Sequence, residues 1–105
     1  MELKWEEEKN NLLKYNRDIC FEDVMLAMKQ GNLLDIVKHK NQYKYPNQLI
    51  LVVEINEYAY LVPFEIENNT VENNGDIIIS LKTIIPSRKA TKKYLRGNKN
   101  HEEEK

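Results

Sequence analysis

The chain has 105 residues, 41% of them hydrophobic, and a formal net charge of −1. That length suits one domain with its own core, and the near-zero charge excludes a generic cationic coat for nucleic acid. Cys20 is the only cysteine, which excludes an intramolecular disulfide and a cysteine-based metal site.

Met1-Glu2-Leu3-Lys4-Trp5 alternates apolar and polar residues and predicts a short strand. Glu6-Glu7-Glu8 suits the first turn of a helix, where carboxylates face the positive end of the dipole. Leu12 and Leu13 would form its inward face, with an end near Tyr15-Asn16. The first eighteen residues hold five acids, Glu2, Glu6, Glu7, Glu8 and Asp18, and no long apolar run, so neither a signal peptide nor a membrane anchor is expected. A cytoplasmic protein is the economical expectation. After a connector at Asp18 to Cys20, Phe21, Val24, Met25 and Met28 follow at i, i+3, i+4 and i+7, an apolar helical stripe that Gly31 would stop. Cys20 fits a small core or capping residue better than a nucleophile.

Leu33 to Val37 predicts a short strand and His39 to Asn47 a polar, aromatic loop. Leu49 to Ile55 is apolar at nearly every position, the pattern of a strand covered on both faces. Asn56-Glu57 is a tight turn. Tyr58 to Glu67 then returns with Tyr58, Tyr60, Val62, Phe64 and Ile66 on one face. Pro63 lies within that strand and cannot donate to a ladder, so it must face an unpaired edge or a bulge. Asn68 to Asp76 reads as a polar loop, and Ile77 to Ile85 as one further strand.

Pro86 ends that strand, and Ser87 is placed to cap a final helix. The expected fold class is α+β, with a mainly antiparallel three- to four-stranded sheet. Two N-terminal helices pack on one face, and a short basic helix ends the domain. The domain runs over residues 1–96, and 97–105 form a charged tail without apolar anchors, expected to be disordered.

Between Lys82 and Arg96 there are six Lys or Arg and no acid, the usual footprint of a surface that meets phosphates or an acidic partner. On a helix capped by Ser87, Lys89, Lys92, Lys93 and Arg96 share one cationic face, while Ala90, Tyr94 and Leu95 turn toward the body. Arg88, just beyond a rigid strand and a proline, can offer two parallel hydrogen bonds to a phosphate, which the lysines cannot. A lysine-rich helix also fits a merely solvated face, and periodicity leaves both readings open. In the loop, His39 carries an imidazole, a side chain suited to proton exchange, and is a candidate general acid or base, or simply an exposed histidine. Lys38, Lys40, Tyr43, Lys44 and Tyr45 stand close by, cations and rings able to exchange protons and stack on bases. Scattered carboxylates and few histidines argue against a metal site, and no cofactor motif is present.

Three segments resemble the BrnT-type toxins of bacterial type II toxin–antitoxin systems, relatives of the RelE-like ribonucleases. Leu3-Lys4-Trp5-Glu6-Glu7-Glu8-Lys9-Asn10 is similar to that family's aromatic-Trp-acid-x-x-Lys start. Cys20-Phe21-Glu22-Asp23 matches the Phe-Glu-Asp/Glu that opens its second helix. Ile84-Ile85-Pro86-Ser87-Arg88-Lys89-Ala90 resembles its Ile-Ile-Ser-x-Arg-Lys-Ala stretch, the most specific of the three. Where the family has Lys-His-Gly after its first helix, this chain reads Lys14-Tyr15-Asn16-Arg17. Where it has an arginine before the second main strand, this chain reads Tyr45-Pro46-Asn47-Gln48, with Lys44 supplying the charge.

The resemblance implies a RelE-like fold and a metal-independent endoribonuclease that arrests growth. Its partners would be an RNA substrate and a cognate DNA-binding antitoxin, with which it would form a hetero-oligomer. Arg88 would clamp the transition state, and Lys89, Lys92, Lys93 and Arg96 would hold the RNA backbone. The competing expectation is a non-catalytic module whose basic helix holds an acidic protein or nucleic acid.

Overall fold

The computed structural model describes residues 1–67 and 77–97. The polar loop at Asn68 to Asp76 and the tail beyond Gly97 lie outside the described residues. The elements run β1 (Glu2–Lys4), α1 (Glu7–Arg17), α2 (Phe21–Lys29), β2 (Leu33–Lys38), β3 (Leu49–Ile55), β4 (Tyr58–Glu67), β5 (Ile78–Leu81), β6 (Ile85–Pro86) and α3 (Arg88–Thr91). A π-helical segment, Lys92–Gly97, follows. The fold is α+β, but the sheet is larger than expected. Among the described residues it has six strands, in the order β1-β5-β4-β3-β2 with β6 also paired to β4. It is antiparallel except where β1 runs parallel to β5.

The β3–β4 hairpin is the backbone of the sheet, and its two strands have the expected bounds. Asn56 and Glu57 both take positive φ, 53° and 64°, the two-residue turn whose twist matches the flanking strands. Leu51, Val52 and Val53 are all buried. A strand alternates its side chains, so three buried residues in a row require cover on both faces.

One face is closed by α1 and α2. Phe21 and Val24 have no exposed surface and pack with Leu13, Leu51, Val53 and Val62. Trp5 stacks on Phe21 at 5.5 Å. The expected stripe is inward at Phe21 and Val24, but Met25 and Met28 are only half-buried and Ala27 is the third buried residue. Leu13 faces the core, whereas Leu12 is 51% exposed, because adjacent residues on a helix point well apart.

The α1–α2 joint is polar and buried. Asn10 Oδ1 accepts from the Phe21 backbone N–H at 2.7 Å, and its amide donates to Glu22 Oε1 at 2.8 Å. That amide holds the Glu22 carboxyl below its ordinary range. Cys20 begins α2 as a capping residue, with Asp23 Oδ2 accepting its N–H at 3.0 Å. Desolvation raises the Cys20 thiol pKa, the opposite of nucleophile activation.

The expected single strand from Ile77 to Ile85 is two strands. Pro63 explains the break. It pairs with Ile50 on the β3 side, while on its other side the ladder lapses between the β5 pairing, which stops at Phe64 opposite Leu81, and the β6 pairing, which resumes at Leu61 opposite Ile85. Pro63 O accepts from Lys82 N at 2.8 Å, and having no N–H it cannot close the pair. The chain leaves the ladder there, buries Ile84 completely, and rejoins β4 at Ile85. Arg17, at the end of α1, donates to the Ile84 carbonyl at 2.8 Å and fastens this crossing to the helical layer.

Candidate nucleic-acid interface

The second face of the sheet is covered by α3 and the π-helical segment. Ser87 Oγ accepts from Ala90 N at 3.0 Å, the expected N-cap. The capped turn is tied to β4 at one residue. Ser87 N donates to Ala59 O at 3.0 Å, and Ala59 N donates to Thr91 Oγ1 at 2.9 Å. Thr91 Oγ1 in turn donates to Ser87 O. Ala59 is fully buried, and its small side chain lets the turn sit directly on the strand.

Arg88 leads this fixed turn with its side chain exposed, and it makes no ion pair with any described residue. Beyond Thr91 the helix does not continue in α geometry, so the even cationic face expected for Lys89, Lys92, Lys93 and Arg96 is corrected. A π turn closes i→i+5 rather than i→i+4, and residues seven apart no longer align. Lys89 and Lys93 border one groove, whereas Arg96 lies with Leu95 in a separate depression beside Glu54 and Glu57. Lys92 is exposed and lines neither. Ala90, Tyr94 and Leu95 do pack on Val52 and Leu61, as expected.

The groove has a volume of about 320 Å³. Its floor is aliphatic, from Val37, Ile50, Val52 and Leu61. One bank carries Lys38, the last residue of β2, and Lys40 in the loop just beyond it, and the other carries Lys89 and Lys93. Tyr94 walls it, its hydroxyl donating to Asp35 Oδ2 at 2.5 Å. That bond holds the Asp35 carboxyl below its ordinary range and raises the Tyr94 phenol. A shift in strand register between Leu33 and Asp35 places this carboxylate opposite Val52.

The loop candidates form a cluster of their own. His39 packs on Tyr45 at 4.4 Å between centroids, and Lys44 Nζ stands 5.4 Å from the same ring. His39 Nδ1 accepts from Asn41 N at 3.0 Å, leaving Nε2 to carry the proton of the neutral ring. Among the described residues no hydrogen bond, ion pair or ring stacking joins this cluster to Arg88. Its neighbours Lys38 and Lys40 are the residues that share a groove with the basic helix. Another depression of about 620 Å³ beside the loop, lined by Gln42, Pro46, Leu49 and Ile66, presents one lysine and one carboxylate, Lys38 and Glu65. Among the described residues no group of His, Cys, Asp or Glu could hold a metal ion, and no helix is long and apolar enough to cross a membrane.

Sequence reasoning grouped Lys38 and Lys40 with His39 but not with the basic helix, and it passed over the Asp35–Tyr94 bond. The cluster Lys38-His39-Lys40 is visible in the sequence, but only the folding of β2 beside α3 gives it an opposite bank. Compared with family models, curated proteins and solved structures, the chain gives no significant match to any.

Proposed function

We propose that this chain is the toxin of a bacterial type II toxin–antitoxin pair, a RelE-like endoribonuclease that cleaves RNA without a metal and arrests growth from the cytoplasm. The observation that carries the reading is Arg88, held on a Ser87-capped turn fixed to β4 at Ala59, with Lys89 and Lys93 bordering the groove beside it. This is the same stretch that carries the strongest likeness to the BrnT-type toxins. Two N-terminal helices on one sheet face and a short basic helix on the other support a RelE-like arrangement.

In the proposed reaction, a ribose 2′-hydroxyl loses its proton to a base and bonds to the adjacent phosphorus. The bond from phosphorus to the departing 5′-oxygen breaks and that oxygen takes up a proton, leaving a cyclic phosphate and a 5′-hydroxyl. Charge grows on the phosphoryl oxygens, and a placed guanidinium meets it with two hydrogen bonds. His39 Nε2 and Lys44 are the candidates for proton exchange. A DNA-binding antitoxin would hold the protein inactive in a hetero-oligomer by covering the cationic groove.

The test is expression in bacteria with and without Arg88→Ala, together with cleavage of RNA by purified protein in a chelator. The parent should arrest growth and cleave RNA unaffected by the chelator, and Arg88→Ala should lose about 10²–10³ in rate. Equal arrest by the two proteins would remove Arg88 from the mechanism. A second reading, a non-catalytic binding module, draws on the separateness of the His39 cluster from Arg88. It expects RNA binding that weakens steeply with salt and no cleavage.

A further inference from the structure

We infer that the groove between β2–β4 and the C-terminal helix is a seat for one unpaired nucleotide of RNA, its base on the aliphatic floor and its flanking phosphates on the two lysine banks. The inference rests on the reading of the chain as an RNA-cleaving toxin and adds Lys38 and Lys40 to its binding surface.

Three observations support it. The volume, about 320 Å³, lies at the lower end of small-ligand sites, which begin at roughly 300 Å³. Cations stand on both sides of an apolar floor, and Lys38, Lys40, Lys89 and Lys93 make no ion pair with any described residue. A strand of nucleotides alternates in just this way, with a flat apolar base between two charged phosphates. Finally, the Tyr94 ring is held as a wall, since its hydroxyl is bonded to Asp35 and its backbone belongs to the packed helix. The Asp35 carboxylate stays charged in that bond and interacts with Lys93, so it offsets part of the charge on that bank and leaves Lys40 and Lys89 unengaged.

An acidic peptide fits less well. A docked helix needs a row of apolar anchors at i, i+3, i+4 and i+7, and an added strand needs a sheet edge. The groove offers a single hollow, and although its β2 bank is an edge strand, its apolar floor lies on the face of the sheet.

The probe is a labelled oligouridine of about twelve nucleotides, compared with an abasic strand of equal length, a duplex of equal length and a polyglutamate peptide. Three double variants are titrated against it: Lys38→Gln/Lys40→Gln, Lys89→Gln/Lys93→Gln, and a control on the helical layer, Lys14→Gln/Lys29→Gln. Each groove pair should weaken oligouridine binding at least about tenfold and flatten the salt dependence by roughly 0.7 for every phosphate that is no longer neutralised. The control should change it less than about twofold, because distant surface charges are screened. The abasic strand keeps every phosphate, so a loss of about tenfold reports a base on the floor, and the duplex should bind more weakly than the single strand.

An abasic strand that binds as well as oligouridine overturns the inference, as does a control pair that costs as much as the groove pairs. Displacement of RNA by polyglutamate at lower concentration than by unlabelled oligouridine assigns the groove to a protein and also overturns it. Growth arrest separates the two levels. Arrest that persists in variants shown to have lost RNA binding sinks the groove and leaves the toxin reading standing. Oligouridine binding with the expected variant pattern, from a parent that neither arrests growth nor cleaves RNA, sinks the toxin reading and leaves the groove.

Discussion

The two faces of the sheet use the same strands in contrasting ways. On one, α1 and α2 close over Leu51, Val53 and Val62, and Phe21, Val24 and Ile84 keep no exposed surface. On the other, a four-residue α-helix and a π-helical segment cover Val52 and Ala59 but leave Leu61, Val37 and Ile50 beside an open groove. The difference is one of length. A short basic segment cannot hide the whole second face, and the apolar strip it leaves uncovered acquires a border of lysines. Stability is concentrated on the first face, and recognition is proposed for the second.

Substitutions can break or sharpen that contrast. Phe21→Ala empties a fully enclosed site and should cost about 3–5 kcal/mol in urea unfolding. Leu61→Ala, at a half-buried position beside the groove, should cost only about 1–2 kcal/mol. Equal losses would mean that the two faces share the load. Asn10→Ala leaves the buried Phe21 N–H without an acceptor, for an expected loss of about 1–3 kcal/mol by the same measurement. If it proves neutral, the polar joint is incidental to the helical layer.

On the second face, Ser87→Ala removes a single cap and should cost about 1 kcal/mol, yet it loosens the turn that carries Arg88. Growth arrest should therefore fall more than stability does. An unchanged arrest would detach the cap from the proposed site.

The smallest effect belongs to the Asp35–Tyr94 bond. Asp35 titrates lower in the folded chain than unfolded, so its contribution is complete above the ordinary carboxylate pKa. It is lost as pH falls from about 4 through the folded value. Tyr94, raised by the same bond, contributes below its unfolded pKa near 10 and loses that contribution as pH rises through its folded value. Tyr94→Phe should flatten both limbs of the stability profile and leave the neutral range nearly level. Unaltered acid and alkaline limbs would show that the bond does not persist in solution.

Several features are legible along the chain because each depends on neighbours in sequence. Phe21 and Val24 announce a buried helical stripe, Asn56-Glu57 a tight hairpin, and Ser87 a cap, since spacing, turn chemistry and capping all act within a few residues. Arg88 is marked out by the same local logic. The basic face fails as a unit because it assumes α geometry throughout, and Lys92 begins a π segment that sends Arg96 toward Glu54 and Glu57. The strand expected at Ile77 to Ile85 fails because its continuity depends on Pro63, many residues away and unable to donate to it.

By itself, then, the sequence determined the two early helices, the β3–β4 hairpin with its turn, the Ser87 cap and the cationic character of the segment after Pro86. Only the tertiary structure decided what those cations face. Lys38 and Lys40 meet Lys89 and Lys93 across an apolar floor because β2 pairs with β3, and because Thr91 and Ser87 fasten the last turn to Ala59. Both are long-range pairings set by strand register and packing, which no local pattern of residues encodes.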